Sequence, residues 1–313
     1  MRPQFLTALL IALPLFTAAC GTKESPTAPV IQPAYDLKVR WLGAAPSAVI
    51  QQAFTRAETR IKAIIVGGLS PVLIPTDFNV SQCDAALTGY PNVPAETVQG
   101  ILIYVLIKEI DGIGQVLGSA GPCLVRDQNR FKPALGIMRL DAADLQNFAT
   151  QDRLDALVLH EMLHVVGIGT IWTDNGLLIG DQTADARFVG ARARTACADV
   201  HGGTTTCATN VPVHSTDGTG SAYSHWKETT FTNELMTPFL NSGVVPLSEM
   251  SIQSLADIGY VVRTQTADAF GPLASNVMAN ALAAEAYPSV ALPEPTRPRF
   301  TVSASGGLTP LRR

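Results

Sequence analysis

The sequence predicts a mixed α/β domain, and three stretches support this. Apolar and polar residues alternate from Tyr35 to Trp41, the period of a half-buried strand. Between Val49 and Ile65 apolar residues recur at helical spacing, as in a long amphipathic helix. Residues 101–107 form a continuous apolar run of strand length, which indicates a strand covered on both faces. A helix packed on a twisted sheet accounts for all three.

The elements that follow are shorter and lie around one buried helix. Residues 136–140 predict a short strand, and residues 154–166 predict a helix that is apolar on more than one side. Gly167 and Gly169 end this helix, because glycine tolerates left-handed backbone geometry. Residues 174–223 have little periodicity and predict an insertion of loops. A helix at 250–255 and a strand at 258–262 are expected to close the domain.

Both ends of the chain predict segments outside this domain. Residues 1–19 carry Arg2, an apolar run and then small residues, as a signal peptide does. Cys20 follows as the expected lipidated residue of an exported bacterial lipoprotein at the cell envelope or surface; simple cleavage and secretion is the alternative. Residues 20–34 predict a flexible tether, and residues 271–313 a mostly disordered tail.

The cysteine count and the charge bound the class of protein. Without Cys20, four of the five cysteines remain, enough for two disulfides in an oxidising compartment. Three pairings are possible. Cys197 and Cys207 close a short loop, so we pair them, which leaves Cys83 with Cys123. Charged residues make up 15% of the chain and the net charge is −4, with no basic stripe for nucleic acid. The membrane is expected as a partner only through the lipid anchor.

The stretch His160-Glu-Met-Leu-His164 predicts a zinc site. Two imidazoles four residues apart lie on one face of a helix and can hold one ion. Glu161 follows the first ligand and is placed to act as a general base on water at the metal. A catalytic zinc site needs a third protein ligand, which His201, His214 or His225 must supply. We favour His225, which lies eleven residues before Met236.

These motifs resemble the leishmanolysin-type zinc metallopeptidases, metzincins with a distant third histidine and a methionine turn. The resemblance covers about residues 35–270. It implies an upper lobe of sheet and helices (35–173) and an irregular, disulfide-linked lower lobe (174–270). It also implies that the strand at 136–140 lies at the cleft edge and pairs with extended substrate. The implied roles are zinc ligands for His160, His164 and His225, base for Glu161, and the floor beneath the metal for Met236. The stretches that carry the resemblance are HEMLHVVGIGTIW, SHWKETTFTNELMTP, IDGIGQVLGSAGP, GIMRLDAADL and SLADIGYVV.

The function that follows is an exported zinc endopeptidase acting on protein or peptide substrates. Two alternatives use the same residues. One is a non-catalytic surface-binding lipoprotein, against which the intact Glu161 argues. The other is a zinc hydrolase of a non-peptide amide or ester, because the motif specifies activated water and not the bond attacked.

Overall fold

The computed structural model describes residues 33–114, 116–128, 130–150, 153–200, 206–215, 221–271, 290–292 and 295–312. The predicted signal peptide, Cys20, the tether up to residue 32, and His201 lie outside these residues. The strands are β1 (Leu37–Trp41), β2 (Val72–Ile74), β3 (Glu96–Val98), β4 (Ile101–Lys108), β5 (Gly118–Arg126), β6 (Pro133–Asp141), β7 (Leu178–Ile179), β8 (Arg187–Phe188), β9 (Val211–Pro212), β10 (Phe239–Leu240), β11 (Val290–Ala291), β12 (Phe300–Val302) and β13 (Leu308–Pro310). The helices are α1 (Ala48–Ile64), α2 (Ala142–Thr150), α3 (Leu154–Val166), α4 (Ala191–Val200), α5 (Glu228–Phe231) and α6 (Glu249–Ile258), with 3-10 turns at Val80–Gln82, Ala85–Leu87 and Thr264–Thr266.

A six-stranded sheet in the order β1-β4-β6-β5-β12-β13 forms the centre of the fold. β1, β4 and β6 are parallel, β5 runs antiparallel to β6, and β12 pairs parallel with β5. The strand predicted at 101–107 is β4, and its side chains are buried on both faces, as expected. Ile101, Ile103 and Val105 face the helices, whereas Leu102, Tyr104 and Leu106 join a second cluster with β2 and Phe78.

Helix α3 packs against α1 on one side and against β5 and β6 on another, which explains why it is apolar nearly all round. α1 presents Ile50, Phe54 and Ile61 to the same core. On the sheet side, Gly136 of β6 approaches Val165 so closely that a Cβ at position 136 would collide with the valine side chain. This contact brings α3, which carries His160 and His164, close against the sheet.

The structure changes the expectation for the region of residues 174–223. Beside loops it contains the three-stranded sheet β7-β8-β9 and the helix α4. The first residues of α4 donate backbone hydrogen bonds to the carboxylate of Asp257 from α6, at 3.1 Å from Arg192 and 2.9 Å from Ala193. Because this cap comes from a residue far along the chain, the local sequence gave little sign of the helix.

Two further expectations are corrected. The strand expected at 258–262 is absent: Ile258 ends α6, Gly259 caps the helix in the left-handed conformation, and Val262 forms a single bridge with Ile65. β6 is not an edge strand, because β4 and β5 flank it.

The prediction of disorder is wrong for residues 295–312, where β12 and β13 extend the sheet. Phe300 contacts Phe78 and Val302 is fully buried.

Among the described helices, none has the length and apolar character needed to span a bilayer.

Candidate metal centre

Helix α3 brings two of the predicted ligands together within one turn. The Nε2 atoms of His160 and His164 lie 2.9 Å apart, and both side chains are fully buried. Gly167 follows at the C-cap with φ of 126°. Gly169 has φ of 77°, and a Cβ there would collide with the Ser224 carbonyl. Glycine at 169 therefore lets the chain beside His225 approach the end of the helix.

His225 completes the cluster from the loops after β9. Its Nε2 lies 2.9 Å from that of His164 and 3.2 Å from that of His160. Within the described residues, these three histidines form the group of side chains whose ligand atoms are close enough to hold one ion.

Backbone carbonyls set the orientation of all three rings. The Nδ1 atom of each imidazole faces one carbonyl oxygen: Leu235 at 2.6 Å for His160, Ile168 at 2.8 Å for His164, and Ser221 at 2.8 Å for His225. A carbonyl only accepts, so each Nδ1 carries the ring proton and donates it. Each Nε2 is then an unprotonated lone pair that points at the other two.

This arrangement fits zinc. Three lone pairs at 2.9–3.2 Å repel one another unless a cation lies among them. A tetrahedral zinc ion with bonds of about 2.0–2.1 Å spaces its nitrogen ligands about 3.3 Å apart, close to these separations. Burial lowers the pKa of His160 to about 4. Burial, with the neighbouring imidazoles second, also holds the pKa values of His164 and His225 well below the usual range. The rings are therefore neutral at pH 7, as ligands must be.

Glu161 is buried beside this cluster without a hydrogen-bond partner for either carboxylate oxygen. Burial raises its pKa to about 8. A carboxylate with no partner inside a protein costs stability, which is typical of a group kept for chemistry. Glu161 directly follows His160 on α3.

The methionine turn is held by a buried carboxylate that the sequence reasoning missed. Glu234 accepts hydrogen bonds from the Met236 amide at 2.6 Å and from the Ser248 amide and hydroxyl at 3.1 and 2.6 Å. Ser251 donates to the same carboxylate and accepts from the Trp226 indole at 2.8 Å. Burial raises the pKa of Glu234, and these donors lower it by a smaller amount. The sequence signal for this role of Glu234 was a single acidic residue before a predicted turn, with serines nearby.

The model of the leishmanolysin family, peptidase M8, matches residues 73–277. This match covers most of the chain and includes all three histidines and Glu161. The chain belongs to the leishmanolysin family. No curated protein matches the sequence. As a leishmanolysin-family chain, it is a member of a metallopeptidase family, and the convergent histidines agree with that class. β12 and β13 lie beyond the matched residues.

The other candidate residues of this leishmanolysin-family chain lie around the centre and not in it. His214 is buried and donates its backbone amide to the His225 carbonyl at 2.8 Å, but it does not join the three converging rings. Met236 is buried next to Leu235, whose carbonyl orients His160. The structure pairs Cys83 with Cys123 and Cys197 with Cys207, the pairings predicted above.

Proposed function

We propose that the protein is a zinc-dependent endopeptidase. The observation that supports this is the convergence of three Nε2 lone pairs beside a buried carboxylate without a partner. His160, His164 and His225 would hold the zinc. When bound, zinc supplies Lewis acidity, which polarises a carbonyl and lowers the pKa of water.

The protein's own residues then have separate tasks. A Glu161 oxygen accepts a proton from water as the water oxygen attacks the scissile carbonyl carbon. Glu161 returns that proton to the amide nitrogen as the C–N bond breaks, so the products are a carboxylic acid, which loses its own proton to the solvent, and an amine. The three backbone carbonyls keep the imidazoles oriented throughout.

Glu161→Gln separates this role from metal binding. With zinc-loaded protein and a peptide library, we expect the wild type to cleave, a chelator to stop cleavage, and Glu161→Gln to lose it while keeping one zinc per chain. The matched control is Asp155→Asn, the same chemical change at an exposed position of α3, which should cleave normally. Wild-type turnover in Glu161→Gln would contradict the mechanism. Zinc binding with no cleavage of any peptide would favour the binding protein or the non-peptide hydrolase.

We also infer export as a lipoprotein through Cys20. Small residues precede this cysteine, and two disulfides in the body agree with an oxidising compartment. Metabolic labelling with a fatty acid in a bacterial host should mark the wild type and not Cys20→Ser. Equal labelling of both would contradict it.

A further inference from the structure

The segment before β12 passes directly beside the metal centre. We call residues 290–299 the C-terminal strap, of which 290–292 and 295–299 are described. The strap begins as β11, which pairs antiparallel with β10 just after the methionine turn. Leu292 then donates its amide to the Pro238 carbonyl at 2.9 Å and is buried. One end of the strap is therefore fixed two residues from Met236.

Ser221 connects the strap to the third histidine. Its backbone carbonyl accepts the Nδ1 proton of His225 at 2.8 Å. Its hydroxyl donates to the Leu292 carbonyl at 3.0 Å. A single residue thus contacts both the ring of a predicted zinc ligand and the backbone of the strap.

The other end of the strap lies along the outer edge of β5. Thr296 and Arg299 donate their amides to the carbonyls of Ala120 and Cys123, at 2.8 and 2.9 Å. A Cβ at Gly121 would collide with the Thr296 carbonyl. The Arg297 guanidinium donates to the hydroxyl of Thr173, shortly after α3, at 3.2 Å. The strap uses the backbone groups that β5 would otherwise offer to another extended chain.

The two ends are joined by a short connection. Three residue steps separate Leu292 from Pro295, and they span at most about 11 Å. His160, Glu161, His164 and His225 are all fully buried in this state. A peptide substrate cannot reach them without a rearrangement.

Prolines limit the number of backbone hydrogen bonds that the strap can donate. Its sequence, Val-Ala-Leu-Pro-Glu-Pro-Thr-Arg-Pro-Arg, has three prolines, which have no amide hydrogen to donate to a neighbouring strand. By contrast, the following hairpin pairs over β12 and β13, and Val302 is buried in the core. The strap can leave the edge of β5 while the hairpin stays in the sheet.

We propose that the C-terminal strap occupies the substrate groove of its own active site and that displacing it exposes the centre. An extended peptide binds an exposed sheet edge through backbone hydrogen bonds, and the strap already makes such bonds with β5. The strap thus competes with substrate. This inference rests on the proposed endopeptidase function, and it concerns the regulation of that same centre.

The test weakens the strap without touching a zinc ligand. Ser221→Ala with Arg297→Ala removes two side-chain bonds and keeps the Ser221 carbonyl that orients His225. Thr296→Pro, far from His225, is a second variant that removes the amide bond to Ala120. The control is Thr301→Ala in β12, which loses only an exposed bond to the Thr309 carbonyl. Each is the full chain, loaded with zinc.

Three measurements distinguish the outcomes: the hydrogen-exchange rate of the Thr296 and Arg299 amides, the affinity for acetohydroxamate, and kcat/KM on a peptide. In Thr296→Pro only the Arg299 amide is followed, because proline has no amide hydrogen. We expect all three to rise about 5- to 25-fold in the strap variants, the change that one or two hydrogen bonds produce. The control should not change. A synthetic peptide of residues 290–299 should inhibit the strap variants more strongly than the wild type, and a scrambled peptide should not.

Each other result points to one failure. If exchange and hydroxamate affinity rise but no form cleaves peptide, the strap proposal stands and the endopeptidase function fails. If all forms cleave peptide at the same rate, the strap does not regulate access and the proposal is overturned. Unchanged amide exchange in both strap variants would overturn it too.

Discussion

The proposed zinc ligands come from two regions that are stabilised in different ways. In the sheet region, residues 33–173, β-strand pairing and apolar packing hold α3, and two ligands follow from adjacent turns of that helix. In the loop region, residues 174–271, strands are only two residues long, and buried polar side chains supplement the apolar packing. A polar network positions His225 and Met236, as the sheet positions His160 and His164. It consists of Glu234, Ser248 and Ser251. The centre therefore depends on both a hydrophobic core and a polar network.

The largest expected effect is the loss of the ligand from the loop region. His225→Ala should lose zinc and activity together, by more than the roughly 100-fold that changes around a metal ligand produce. His214→Ala and His201→Ala should keep most of both. Measuring the zinc content of each variant after dialysis tests this prediction. If His214→Ala strips the metal and His225→Ala leaves it bound, the loop region does not supply the third ligand as proposed.

The two disulfides allow a direct comparison of the regions, because one lies in each. Cys83 and Cys123 are 40 residues apart, whereas Cys197 and Cys207 are 10 apart. Closing the longer loop restricts the unfolded chain more, so replacing both of its cysteines by Ser should cost about 4 kcal/mol against about 3 kcal/mol for the shorter loop. The free energies of unfolding of the two double variants, measured in urea, test this difference. Equal losses would show that native contacts outweigh loop length.

Close packing in the sheet region gives the next effect. Gly136→Ala places a methyl group against Val165 and should reduce the free energy of unfolding by about 1–3 kcal/mol, the usual cost of overpacking. Adding Val165→Ala should restore part of the loss, because it removes the atom that the new methyl meets. Thermal unfolding of the single and double variants measures the coupling. No recovery in the double variant would place the strain elsewhere, for example at the Gly121 carbonyl.

The smallest predicted effect concerns the polar network of the loop region. Glu234→Gln replaces an acceptor oxygen by an amide group that cannot accept from all its present donors. The methionine turn, and with it the Leu235 carbonyl that orients His160, should loosen. We expect zinc affinity to fall about 10- to 100-fold while the sheet region unfolds normally. Glu249→Gln, exposed at the start of α6, is the control. Unchanged affinity would limit Glu234 to a structural role.

Patterns within single elements predicted β1, α1, β4, β6 and α3 of the sheet region. The alternation before Trp41, the helical spacing of α1, the apolar run of β4 and the spacing of His160 and His164 each express contacts that their own element makes. The even number of cysteines left without Cys20, and the short loop between Cys197 and Cys207, were enough to choose the disulfide pairings. His225 was favoured because of its distance from Met236 and was then supported by the family resemblance.

Tertiary contacts decided the remaining features, because their partners are distant in sequence. Asp257 caps α4, Glu234 collects donors from three segments, and the β5 edge receives the strap. Gly259 ends α6 where an apolar run had suggested a strand. Strand order was equally hidden: β6 lies inside the sheet since β5 pairs with it, and no local pattern encodes which strand lies at an edge. The sequence by itself indicated the chemistry of the histidines on α3; only the folded chain determined where the third histidine lies and which backbone carbonyls orient all three rings.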